Sequence, residues 1–299
     1  PLVPGISELK RTNQIGIYAQ DQIAWQNWRL TIGGRQDWAE GKTEDRLFDT
    51  TLKQNDNDFT GRVGLTYLFD NGLAPYASYS TSFDPEIGRN ASGGPLEPTK
   101  AHQYEIGIKY QPNGSQSFFA LSAFDLTRTN VLQFDPGTFL PYQIGEINVR
   151  GIEAEAKMSL TDRFDLVAAY TYLDSEVTEH LDPTIVGRPQ YFTPDHQFSL
   201  WANYQIEDGP AAGLGFGAGM RYRSEIWGLS YEIEVPSHTL FDAALTYDFG
   251  KRNPDFAGLN LTVNARNVFD RKYVSNCSYY EGCYYGEGRT LTATLKYTW

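Results

Sequence analysis

The chain has 299 residues, 37 acidic against 25 basic side chains and a net charge of −12, with only 40% hydrophobic types. That balance excludes a polyanion binder, for want of a basic surface to neutralise phosphates, and no apolar run approaches the ~20 residues that a spanning helix needs. A spanning β-barrel stays open, because its strands alternate and so average out hydrophilic.

Pro1 to Lys10 lacks a basic-then-apolar start, so any signal peptide is expected to be already absent. From there the chain reads as strands almost throughout. Period-two patterning predicts thirteen of them, at 12–25, 28–40, 57–69, 73–83, 99–111, 117–132, 142–160, 164–177, 195–206, 213–224, 237–249, 259–269 and 289–299. In the fifth, Tyr104, Ile106, Ile108 and Tyr110 oppose Gln103, Glu105 and Lys109; in the seventh, Ile152, Ala154, Ala156 and Met158 oppose Glu153, Glu155 and Lys157. Gly213, Gly215, Gly217 and Gly219 fall within the tenth, where small residues let neighbouring side chains cross. The last strand sets Leu291, Ala293, Leu295 and Tyr297 against Thr292, Thr294 and Lys296, and the first set is expected to meet lipid.

The connections alternate short and long without exception in this reading. Tight ones carry turn chemistry, as in Asp70-Asn71-Gly72 and Pro112-Asn113-Gly114. An outer-membrane barrel has a reason to place all short turns at one rim, and a soluble sandwich or propeller has none. Tyr110, Tyr172, Tyr204, Tyr247, Phe249, Tyr297 and Trp299 are expected as an aromatic girdle beside the short turns. If the long loop 270–288 is external, strand 289–299 descends to the periplasmic rim, strand 12–25 descends too, and Pro1–Arg11 belongs to an external loop. An antiparallel barrel with an odd strand count cannot close without one parallel pair. Residues 1–299 are therefore expected to be the C-terminal part of a larger antiparallel transmembrane β-barrel, with 12–25 and 289–299 as edges.

Several segments converge on one family. Pro95-Leu96-Glu97-Pro98-Thr99 with Tyr104-Glu105-Ile106-Gly107-Ile108-Lys109-Tyr110 resembles a strand of TonB-dependent outer-membrane receptors. Val149-Arg150-Gly151-Ile152-Glu153-Ala154-Glu155, Tyr170-Thr171-Tyr172-Leu173-Asp174, Thr193-Pro194-Asp195-His196-Gln197 and Asn264 through Tyr273 are similar to the strands that follow in that family, and Trp299 stands for its terminal Phe. The resemblance implies a 22-stranded barrel around a plug, with the plug and nine strands absent here. It implies a receptor that imports a ferric siderophore, with energy from the TonB-ExbB-ExbD complex acting through the plug, in contact with outer-membrane lipid and lipopolysaccharide. No nucleic acid is expected, and no cofactor, since ferric iron arrives chelated by the siderophore.

Cys277 and Cys283 are the sole cysteines and lie in one external loop, which in an exported chain implies a local disulfide. Zinc competes weakly, because two ligands do not make a site. Cys277 through Gly286 resembles the disulfide-bearing last external loop of ferrichrome-type hydroxamate receptors, where an aromatic beside the first Cys touches the ligand; Ser278 holds that place here, with Tyr279 and Tyr280 next. The candidate ligand contacts are Tyr279, Tyr280, Tyr284 and Tyr285, with Trp227 and Tyr231 in the neighbouring loop 225–236. Catecholate, cobalamin or carbohydrate ligands stay open, as does a passive porin. An outer-membrane hydrolase would need a His partnered at the rim, and Ser237 and His238, the sole adjacent pair, point to opposite faces of a strand. Arg221 and Arg223 are read as part of the charged, water-holding face, and Asn267 and Asp270 as turn caps.

Overall fold

The protein is described by a computed structural model that covers residues 7–90, 93–134, 141–279 and 282–299. The strands are β1 Glu8–Trp25, β2 Trp28–Asp45, β3 Thr50–Tyr67, β4 Leu73–Asp84, β5 Thr99–Tyr110, β6 Phe118–Phe134, β7 Pro141–Thr161, β8 Phe164–Glu179, β9 His196–Gln205, β10 Leu214–Arg223, β11 Ile226–Trp227, β12 Glu234–Val235, β13 His238–Asp248, β14 Leu259–Arg266, β15 Val274–Tyr279, β16 Gly282–Tyr285 and β17 Thr290–Tyr297. Thirteen form one sheet in the order β1 to β10, β13, β14, β17, so that β1 and β17 are its edges as expected. The pairs β11–β12 and β15–β16 form two small separate sheets.

Directly paired residues share a face, so the register can be followed across the whole wall. One row runs Ile23, Leu30, Leu65, Ala77, Ile106, Ala123, Ile152 from β1 to β7. Another runs Leu166, Ala202, Ala218, Ala243, Ala265, Leu291 from β8 to β17. The opposite face carries Gln20, Gly33, Arg62, Ser80 and Gln103 at one side and Glu153, Thr171, Gln197, Arg223 and His238 at the other. No second layer covers the apolar face among the described residues: Ile15 is 71% exposed, Ile106 64% and Leu295 64%. In water such a face would be costly; a hydrocarbon surround removes that cost while ladder pairing satisfies the backbone of neighbouring strands where they overlap.

Aromatic rings mark the rim of the short turns. Trp28 meets Tyr67 at 4.8 Å between ring centroids, Tyr67 meets Phe69 at 4.7 Å, and Tyr247 meets Phe249 at 4.7 Å. Tyr172 departs from the expected girdle, because it pairs with His196, the first residue of β9, at the far rim. β9 is much shorter than β8, so the middle of one meets the end of the other. On the polar face Trp201 lies across the β10 glycines, and a Cβ on Gly217 or Gly219 would run into its ring.

Three boundaries differ from expectation. The predicted long connection 41–56 is only residues 46–49, so the strict alternation of loop lengths fails at this rim. β2 and β3 continue pairing through Lys42↔Lys53 and Glu44↔Thr51, where neither face is apolar and period-two hydrophobicity gives no signal. Segment 85–98 folds over this extension, its Leu96 buried and its backbone carbonyls at Glu86 and Leu96 accepting from Gln54 Nε2 at 2.9 and 2.7 Å. For the same reason β1 starts at Glu8, not Thr12, so Glu8 to Arg11 are strand paired with Lys42 to Asp45. Residues 1–6 lie outside the described residues. Finally, β14 stops at Arg266 because Asn267 takes a φ of 49° and leaves the ladder.

Candidate ligand-binding site

The segments at the long-connection rim build one cap. Ile226, Val235 and Cys277 are buried together, with Phe192, Ile233 and Val274 packed against them, so residues from the segments 180–195, 224–237 and 267–289 share one small core. Backbone bonds join the same three: Phe192 N–H donates to Trp227 O at 2.9 Å and Leu229 N–H to Cys277 O at 3.2 Å. The expected disulfide is present, Cys277 to Cys283 at 2.02 Å, between directly opposed residues of the β15–β16 hairpin. A neighbouring cluster of Val131, Ile147 and Val177 with Tyr142 and Ile185 fastens the other end of the segment 180–195 to the tall ends of β6 to β8.

The stretch from Asn267 to Asp270 anchors the last segment. The Asn267 amide donates to Arg271 O at 2.9 Å and Glu287 O at 3.1 Å, and its backbone N–H donates to Asp242 Oδ1 at 2.9 Å. Asp270 Oδ1 accepts from Arg289 N–H at 2.9 Å, and that bond, together with Lys272, holds the Asp270 carboxyl below the usual carboxylate range. Asn267 thus caps its turn, its Oδ1 also accepting from Arg271 N–H at 2.9 Å, whereas Asp270 ties the two ends of the segment together.

The aromatic candidates whose side chains are described, Tyr284, Tyr285, Trp227 and Tyr231, stand in different surroundings. Tyr284 and Tyr285 stand 60% and 81% exposed on β16. Tyr279 ends β15 opposite Gly282, and Tyr280 lies outside the described residues. Trp227 is on β11, partly exposed. Tyr231 turns the other way, with a φ of 58°, its ring 6.3 Å from that of Tyr191 and 5.2 Å from the Arg188 guanidinium. Burial pushes the phenols of Tyr191 and Tyr231 up to about 12.

Beneath this cap, on the polar face, lies a cleft of about 350 Å³ that residue patterning did not single out. Thr171, Gln197, Arg223 and His238 form one cross-strand row of its floor, and Ala169, Ser199, Arg221 and Leu240 the next. Tyr273 closes it from the last segment, its ring 4.3 Å from His238. Tyr273 rests on Gly286, where any Cβ would occupy the ring's own position, and the two are joined by a 2.8 Å bond from Gly286 N–H to Tyr273 O. Arg221 is held by Asp242 in a two-pronged pair of 2.6 and 3.0 Å. The available signal was the presence of Arg221, Arg223 and His238 in consecutive rows of two strands, but the β10–β13 register is needed to see it. Among the described residues no group of three His, Cys, Asp or Glu side chains is placed to hold a metal ion.

Comparison with known proteins bears on this arrangement. The family model described as "TonB dependent receptor-like, beta-barrel" matches residues 4–268. The chain is 40% identical over 291 residues to the ferrichrome outer membrane transporter/phage receptor of Escherichia coli K12, covering 97% of this chain and 38% of that protein. It is 35% identical to a ferrioxamine B receptor of Salmonella typhimurium, covering 97% of this chain and 41% of that protein. The chain thus spans about two fifths of the length of these relatives. Among solved structures, a siderophore receptor from Acinetobacter baumannii superposes with a TM-score of 0.79 at 24% identity, over 96% of this chain and 43% of that one. The ferric yersiniabactin uptake receptor of Yersinia pestis superposes with 0.80 at 16% identity, over 97% and 46%.

Proposed function

The chain belongs to the TonB-dependent receptor β-barrel family, and on that premise we propose that it forms the C-terminal part of the barrel wall of an outer-membrane receptor for a ferric siderophore. The observation that carries this reading is the register: one unbroken apolar face across thirteen strands, a polar face behind it, and a knitted cap at one rim only. That is the construction of a wall with lipid on one side and water on the other. The names of the sequence relatives favour a hydroxamate cargo, and so does the disulfide hairpin.

In this reading the cap and the cleft beneath it receive the ferric complex, which is too large for passive pores. Exposed Tyr284, Tyr285 and Trp227, with Tyr279 and Tyr280, supply aromatic faces and phenol hydroxyls to a compact ligand that is partly apolar at its rim. Tyr231 serves from behind, by fixing the segment 224–237 against Tyr191 and Arg188. Release inward needs a conformational change that the laddered wall does not supply by itself, so energy enters through a plug and the TonB-ExbB-ExbD complex. Outer-membrane lipid and lipopolysaccharide surround the apolar face.

The test is radio-iron uptake by cells that make no siderophore and express the receptor carrying this chain. Uptake from ferric trihydroxamates is expected, and an uncoupler is expected to abolish it. Uptake that ignores the uncoupler and is matched by leakage of sugars of similar size would establish a pore instead. Within that assay, replacing Tyr279, Tyr280 and Trp227 together by Ala weakens ferric-siderophore binding at least ~tenfold, equivalent to ~1.4 kcal/mol, at an unchanged amount of folded barrel.

A further inference from the structure

The cleft under the cap is basic in a chain whose net charge is −12. Its two arginines are not equivalent. Arg221 is already matched by Asp242 at 2.6 Å. Arg223, one row nearer the cap, makes no ion pair with any described carboxylate; its Nη2 donates to Ser275 O at 2.7 Å. Its Nε has no partner among the described residues but is sealed from solvent, and His238, the residue directly opposite it in the ladder, lies against the Pro236 backbone. Both side chains are half-buried and line the cleft, so the rest of the guanidinium and of the imidazole stays within its reach.

The surroundings fix both groups in place. Ser275 O holds one arm of the guanidinium, and Tyr273, backed by Gly286, stacks on the imidazole. Gln197 and Thr171 continue the row with amide and hydroxyl donors. A guanidinium with no carboxylate partner among the described residues, an imidazole beside it and an exposed amide on the same floor suit a carboxylate. Resting on the siderophore-receptor reading, we infer that this row is a carboxylate subsite of the cargo site, with Arg223 as its charged anchor, His238 and Gln197 as flanking donors, and Tyr273 as its wall. The receptor therefore prefers a ferric hydroxamate that carries a free carboxylate over its neutral counterpart.

The probe is a matched pair of ferric desferrioxamine complexes, one with its terminal amine succinylated and so anionic, the other acetylated and neutral. Affinities for the intact receptor in detergent are read from tryptophan quenching. The expected result is at least ~tenfold tighter binding of the succinylated complex, with the ratio falling towards one in Arg223→Gln. Lys251→Gln, which removes the same charge at the opposite rim beside Glu207, keeps the ratio. If Arg223→Gln does not fold, as judged by heat-modifiable mobility, His238→Gln carries the same test. A ratio near one in the unsubstituted receptor overturns the subsite, as does a ratio that survives both substitutions. An equal loss for both complexes on Arg223→Gln, with no initial preference, assigns the arginine to a carboxylate of the receptor itself and also overturns it. Failure of both complexes to bind the folded, unsubstituted receptor overturns the siderophore reading and the subsite with it.

Discussion

Tyr191 and Tyr231 show how single side chains set the shape of the cap. Both phenols are pushed up to about 12 by burial. A raised pKa means that folding favours the neutral form, so the contribution is full below the ordinary tyrosine value near 10 and is lost as pH rises towards 12. Ultraviolet titration at 295 nm should find late-ionising tyrosines, and Tyr231→Phe should remove one of them; a single step near 10 would contradict the packing. Cys277 and Cys283 should take up no alkylating reagent without reductant. Replacing both by Ser should cost less than a long-range bridge, because the closed loop is short and the pair sits in an existing hairpin. The cysteine pairing was legible from composition alone. The Arg223 and His238 row was not, since patterning placed Arg223 on a polar face but only the register sets His238 opposite it.

At the scale of the strand, alternation made most of the wall readable, and its failures are informative. Leu291 and Leu295 lie on the face that carries Ala265 and Leu261, whereas Thr294 pairs with Thr262 behind it. Leu295→Arg should therefore destabilise the barrel in a lipid refolding assay of the whole receptor, by at most about 2–4 kcal/mol, and Thr294→Arg much less; equal tolerance would mean that the faces are reversed. Where the strands rise past the hydrocarbon, the apolar half of the code stops. β2 and β3 then read as loop, although they pair without a break up to Asp45 and Thr50. Tyr172 was misplaced for a related reason: sequence shows the distance to a strand's end but not how far its neighbour extends. Gly217 and Gly219 should resist substitution, since a Val at either meets the Trp201 ring, and Gly217→Val should lower the yield of refolded barrel more than Ala218→Val.

At the scale of the molecule, the sheet ends in two open ladders, one along β1 and one along β17. Unpaired strand edges are templates for other strands. Expressed by itself, this chain should associate through them, giving large species in light scattering even in detergent that keeps complete barrels monodisperse; a monomer with both edges protected from hydrogen exchange would show that they close on each other. The family and the barrel were legible because they rest on motifs and alternation distributed along the chain. The cap was less so, because its core of Ile226, Val235 and Cys277 is assembled from residues far apart in sequence.

The continuous register has a consequence for how such a chain can change over generations. Adding or deleting one residue within β5, for example, would turn every following side chain of that strand to the opposite solvent. Segments such as 180–195 and 224–237 lie outside the rows of the sheet and are fastened to it by two small clusters and a few hydrogen bonds, so their lengths can drift more readily than those of the strands. Novelty in what the receptor recognises is thereby channelled into a few stretches of chain, while the wall is inherited almost as a unit.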